Sequence, residues 1–159
     1  MRLPFSDALA SRLRRLEAAV QGVETSVDRA DPDRCPDAVA VALDTLYDLW
    51  EAWKKTAKLT KAVQDSIVTG DPAGETTAAL AFARGGKTHA LVEFGDLTDT
   101  FSDAFYSHYG VWRWQVYSDE RPQYARRAEW YATRVCGEEV VPPFRLALAW
   151  LRERPGLQT

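Results

Sequence analysis

From Leu9 onward, apolar residues return every three or four positions: Leu9, Leu13, Leu16, Val20, Val23 and Val27. That rhythm places them on one face of an α-helix and fits no strand. The predicted first helix runs from Ser6 to Arg29, with Ser6 as N-cap, Asp7 near the positive end of the dipole, and Asp31-Pro32-Asp33 as the break. A second, longer helix is predicted from Pro36, with the stripe Val39, Leu43, Leu46, Trp50, Trp53 and Ala57, extended by Leu59, Val63 and Ile67. Gly70-Asp71-Pro72 ends it and opens a third helix, Asp71 capping and Pro72 in the first turn, which is predicted to reach Phe94 and stop at Gly95. Three amphipathic helices joined by short turns make an all-α helical bundle the expected fold.

Beyond Gly95 the pattern changes. Residues 96–110 mix acids and aromatics without a period and read as a loop with one helical turn at most. Val111 to Tyr117 alternates, with Trp112, Trp114 and Val116 on one face, so the insert around residues 96–118 is expected to be short and extended or irregular. Glu120 to Cys136 reads as a fourth helix stopped by Gly137, and Pro142 starts a fifth through Leu146, Leu148, Trp150 and Leu151. No repeat or linker interrupts the chain, and its 159 residues suit one domain, 1–159.

Composition narrows the function classes. With 46% hydrophobic and 27% charged residues the chain can build a core, so disorder and disulfide scaffolds are excluded. No run approaches a membrane span of roughly 18 apolar residues. The opening MRLPFSDALASRL lacks a signal peptide's apolar stretch, and the two cysteines, Cys35 and Cys136, suit a reducing compartment, so a cytoplasmic setting is expected. A net charge of −3 removes bulk attraction to nucleic acid; RNA binding would need a local basic patch.

The third helix carries the functional signal. Ala79, Ala83, Gly86, Ala90 and Phe94 gather on one face, and Ala81, Gly85, Thr88 and Val92 form a second small-residue stripe opposite. A surface helix shows solvent a polar face; this one invites close neighbours on both sides. The second stripe meets either the C-terminal part of the same chain or the same helix of a second protomer about a twofold axis. Arg84 and His89 flank it, about 140° apart on the wheel. At a dimer seam, two such pairs would converge in one cleft.

The segment Arg84-Gly-Gly-Lys-Thr-His89 resembles the signature of the HEPN superfamily, small α-helical domains with an arginine, four to six arbitrary residues and a histidine. The tail, Trp112-Arg113-Trp114 followed by two helices, is similar to one branch of that superfamily. The resemblance implies a metal-independent ribonuclease without cofactor, acting as a homodimer with a composite site, in a toxin or phage-defence role with a protein inhibitor as a further partner. In that reading His89 is base or acid, since imidazole titrates near neutrality, and Arg84 clamps the phosphoryl oxygens. Gly85 and Gly86 let a sugar-phosphate backbone approach, and Lys87 holds a flanking phosphate. His108, within Phe105-Tyr-Ser-His-Tyr109, reads either as a second proton-transfer group of the site or as part of a lid-like loop tucked against the bundle. Catalytic members often carry asparagine directly after the arginine, where this chain has Gly85. The alternatives are a catalytically silent HEPN-like module that binds RNA, nucleotide or protein, and a helical dimeric scaffold. The plainer view of the two side chains is a surface histidine and an arginine in an ion pair, with Glu93 as one candidate partner.

Other patterns carry less. Gly86-Lys87-Thr88 looks like the end of a P-loop, but the required earlier glycine is Ala81 and no strand precedes it. Cys35, His89, His108 and Cys136 lie at least 19 residues apart, unlike the close ligand pairs of zinc sites. Cys35 reads as a small buried residue. Lys54, Lys55, Lys58 and Lys61 form a basic strip beside Trp50 and Trp53, read either as a contact for RNA or as solvated lysines opposite the tryptophans.

Overall fold

The structure, a computed structural model, describes residues 4–29, 33–86, 91–96 and 110–154. Among these residues are six α-helices and one two-stranded sheet, so the fold is all-α in the main. The first two helices, α1 (Pro4–Asp28) and α2 (Arg34–Thr56), pair along the apolar stripes read from the sequence; Leu9, Leu13, Leu16, Val20 and Val23 are all buried. Helix α1 begins before Ser6, which lies inside the first turn and does not cap it.

The long second helix of the sequence reading is two helices. After α2 the chain turns through Lys58, whose φ of 53° is left-handed, and Thr60 then caps α3 (Lys61–Val68) by accepting from the Val63 N–H at 3.2 Å. The bend swings α3 back so that Gln64, fully buried, donates Nε2 to the Trp50 carbonyl. Gly70, at φ 84°, ends this segment. Asp71 then caps α4 (Pro72–Ala83), its Oδ1 accepting from the N–H groups of Ala73 and Gly74 at 3.0 and 3.3 Å.

Helix α4 is the axis of the molecule. Every residue from Gly74 to Ala83 is buried, packed by α2 and α3 on one side and by α5 (Ala125–Arg134) and α6 (Val141–Arg152) on the other. A helix apolar all round belongs inside a protein. Its polar members are satisfied there: Thr76 and Thr77 bond carbonyls four residues back, and Glu75 accepts from the Gly70 N–H and from Arg134. The small residues of this segment therefore pack within one protomer. Between Gly74 and Ala83, α4 is not a seam for a second copy.

The third helix also stops short of Phe94. A single 3-10 turn, Arg84–Gly86, follows Ala83. Two successive glycines forfeit about 1 kcal/mol each of helix propensity, which favours ending the helix there. Val92 and Phe94 belong instead to strand β1 (Val92–Asp96), antiparallel to β2 (Gly110–Trp114), with Phe94 opposite Trp112 and Glu93 opposite Arg113. The extended segment is thus the second strand of a hairpin. Trp112 and Trp114 are buried as the alternation predicts, whereas Val116, beyond the ladder, is 84% exposed. Residues 97–109, expected as a loop, lie outside the described residues. Within the core, Trp50, Trp53 and Trp150 meet edge-on or tilted, with ring centroids 5.5–6.3 Å apart.

Candidate functional site

Four positions on α2, Asp44, Tyr47, Glu51 and Lys54, recur at spacings of three and four and so share one helix face. That face meets the end of α4, and there Arg84 sits. Its Nε donates to Asp44 Oδ1 at 2.9 Å, and its Cζ lies 4.5 Å from the centre of the Tyr47 ring. Both charged side chains are 42% exposed. The ion pair foreseen as the plainer view of this arginine exists, with Asp44 as the carboxylate.

Beside Arg84 opens a cavity of about 260 Å³. Helix α2 supplies Tyr47, Glu51 and Lys54 to its wall, α3 supplies Lys61, and Phe82 and Gly85 form the α4 side. The remaining wall is the connection from β2 to α5, with Tyr117, Asp119, Arg121 and Tyr124, and Arg127 of α5. Five cations and two carboxylates line it, and two further carboxylates, Asp44 and Asp65, pair with Arg84, Lys61 and Arg127, so the local excess is a single positive charge in a chain of net charge −3. Each cation is oriented. Arg121 donates Nε and Nη2 to Asp119, and its Cζ lies 4.6 Å from the Tyr124 ring centre. Lys61 donates to Asp65 at 3.1 Å and to the Gln123 carbonyl at 2.8 Å. Arg127 reaches Asp65 through Nε and Nη2, a pair only 8% and 11% exposed. Lys54 pairs with Glu51 at 3.2 Å.

Hydrogen bonds from Arg121 hold the Asp119 carboxyl at a pKa of about 2, and the same pairing pushes the guanidinium higher. Burial, with Asp119 nearby, raises the Tyr117 phenol. Asp119 is therefore too weak a base, and Tyr117 too weak an acid, to move protons near neutrality. What these walls offer is charge and flat rings.

Of the residues proposed from the sequence, Arg84 and Gly85 line this cavity, whereas Lys87, His89 and His108 lie outside the described residues. Gly86 does not offer open backbone to a substrate. It is buried, and a Cβ there would stand 2.6 Å from Tyr117 Cδ2, so the tyrosine ring fills the space the glycine leaves. The lysine strip divides: Lys54 and Lys61 turn into the cavity, while Lys55 and Lys58 are solvated. Reading the sequence missed Tyr117, Arg121 and Tyr124, although a run of charges, Asp119 to Arg121, between two tyrosines was a usable signal.

Cys35 is buried and Cys136 half-buried, and neither forms a disulfide. Among the described residues no group of three or more His, Cys, Asp or Glu side chains is placed to hold a metal ion, and no helix is long and apolar enough to cross a membrane. Comparisons with family models, with curated proteins and with solved structures each return no match.

Proposed function

We propose that this chain is a HEPN-like, metal-independent ribonuclease that works in the cytoplasm as a toxin or phage-defence effector. One observation carries the reading: Arg84, braced by Asp44 and Tyr47, stands on the rim of a cavity whose walls are basic and aromatic. RNA supplies both things such walls attract, phosphate charge and base rings. The histidine of the motif follows five positions on, at His89. In the reaction, His89 removes the proton of a ribose 2′-hydroxyl, whose oxygen attacks the adjacent phosphorus. Arg84 neutralises the charge gathering on the phosphoryl oxygens, the bond from phosphorus to the 5′-oxygen breaks, and that oxygen takes a proton from water, giving a 2′,3′-cyclic phosphate end. The homodimer of this proposal meets beyond Ala83, because α4 before that point is enclosed in its own protomer. A protein inhibitor fits a toxin of this type.

A second reading, a catalytically silent module that binds RNA or nucleotide, is favoured by two features. Arg84 Nε is committed to Asp44, and Tyr117 occupies the space over Gly86. Wild-type protein, Arg84→Ala and His89→Ala incubated with mixed RNA in excess EDTA separate the two. Cleavage by wild type alone, with cyclic phosphate ends, supports the nuclease. RNA retention without cleavage supports the silent module, and neither result leaves a helical scaffold. Sedimentation of the same samples reads the oligomeric state.

A further inference from the structure

The walls of the cavity carry both cations and rings. Arg84 lies over the Tyr47 ring at 4.5 Å, and Arg121 and Lys61 both lie near the Tyr124 ring, at 4.6 and 6.0 Å from its centre. The aromatic part of the wall is continuous: the Phe82 ring centre is 5.0 Å from that of Tyr117 and 6.0 Å from that of Tyr124. Two carboxylates, Glu51 and Asp119, complete the wall.

These features select a ligand class. An apolar ring would leave seven charged side chains without their water, which is costly. A bare phosphate would use the cations and ignore the three rings. A polyanion such as a highly phosphorylated sugar would meet two fixed carboxylates. A nucleotide uses everything: the rings take the base, the cations take the phosphate, and the carboxylates accept from the base's N–H groups. Size sets the number of units. About 260 Å³ is just under the range of roughly 300–1,000 Å³ typical of small-molecule clefts, enough for one nucleotide and too little for two.

We propose that the cavity is a pocket for one nucleoside monophosphate unit, its base among Phe82, Tyr117 and Tyr124 and its phosphate at Arg121 and Lys61. Asp119 takes Nε and Nη2 of Arg121, so Nη1 remains outside that pair, on a side chain that is 62% exposed. The inference deepens the nuclease reading, on which its RNA form rests: a strand seated here would lead its next phosphate toward Arg84. The same pocket chemistry suits a free nucleotide.

The test uses full-length His89→Ala protein, so that turnover plays no part. Calorimetric titrations compare the four ribonucleoside 5′-monophosphates, inorganic phosphate and the matching nucleosides. At least one monophosphate should bind about tenfold tighter than phosphate and than its own nucleoside. Arg121→Ala and Tyr124→Leu should each weaken it by about tenfold, the loss expected for a charged hydrogen bond or one stacked base. Arg126→Ala, exposed and away from the cavity, should leave it unchanged. A 2′-deoxy hexanucleotide binding far tighter than the monomer, and weakened by the same two variants, assigns the pocket to a strand; no such gain assigns it to free nucleotide. No saturable binding, equal binding of phosphate or nucleoside, or indifference to Arg121→Ala and Tyr124→Leu each overturn the proposal. A wild-type enzyme that cleaves RNA while its pocket fails these titrations sinks this inference alone. Binding without cleavage sinks the nuclease alone.

Discussion

Arg84 and Asp44 lie forty positions apart in the chain and meet at 2.9 Å, Nε to Oδ1, with the guanidinium spread over Tyr47. The contact fixes the direction in which the arginine points. Half-exposed pairs contribute only about 0–1 kcal/mol to stability, so Asp44→Ala should shift the melting temperature by no more than a few degrees. Its effect should appear in function. On the proposed nuclease reading, RNA cleavage by Asp44→Ala should fall several-fold in kcat, and the double variant with Arg84→Ala should be no slower than Arg84→Ala alone. Additive losses in that cycle would show that Asp44 does not act through the arginine.

The seat of Tyr117 makes a second case. A methyl group on residue 86 would meet its ring at 2.6 Å and Leu91 Cδ2 at 3.0 Å. Gly86→Ala should therefore cost about 1–3 kcal/mol, the usual range for overpacking, and change the near-ultraviolet circular dichroism. Adding Tyr117→Leu to that variant should recover part of the loss. Equal stability of Gly86→Ala and wild type in urea would show that the ring moves aside freely.

Asp71 holds three donors: the N–H groups of Ala73 and Gly74 through Oδ1, and Trp150 Nε1 through Oδ2 at 2.8 Å. Burial alone would raise its pKa, but the bonds from Trp150, Gly74 and Ala73 together hold it below the ordinary carboxylate value. Asp71→Ala should cost about 2–4 kcal/mol, from the lost cap and a stranded indole N–H. Because the folded pKa is the lower one, the charged form stabilises the fold above the unfolded value near 3.8, and this contribution fades as the pH drops below it. Urea melts should show a wider gap between wild type and Asp71→Asn at about pH 6 than at about pH 2.

The pair of Asp65 with Arg127 is almost dry. Removing one partner from such a pair leaves a buried charge uncompensated, at about 3–5 kcal/mol. Asp65→Ala should lower the melting temperature by roughly 10 °C, and Asp65→Leu with Arg127→Met should restore most of it. A double variant as unstable as the single one would mean that packing, not charge, is at stake.

Thiol chemistry offers a simple check on burial. The Cys35 thiol is pushed up by its apolar surroundings, partly offset by a hydrogen bond with Ser26, so it should resist a thiol reagent in the native protein. Cys136, half-buried, should react alone, and both should react in denaturant. Two fast native thiols would contradict the packing of α1 on α2.

How far the sequence could be read depends on the reach of each signal. Asp71 and Pro72 were legible because a cap is decided within three residues. The stripe of α1 was legible for the same reason, since helical periodicity is local. Strand β1 was not. Gly86, Ala90 and Phe94 continue the helical spacing by coincidence, and what makes Phe94 a strand residue is pairing with Trp112, a partner eighteen positions away. The twin glycines at 85 and 86 were the one nearby hint that the helix ends. The cavity was hidden more deeply: Tyr47, Phe82 and Tyr124 come from three separate elements, and no spacing rule brings them together. Small residues on both sides of α4 did announce a buried helix; which neighbours bury it is settled by the return of α5 and α6.

Helix α4 is a strut mostly of alanine, threonine and glycine, with Leu80 and Phe82 as its bulky side chains, and it borrows its firmness from the helices packed against it. Such a strut has no reason to persist once α2 or α6 lets go, so the first and last thirds of the chain are tied to a single melting event. The wall that carries Arg84 then has no partly assembled version. In each molecule it is either whole or gone.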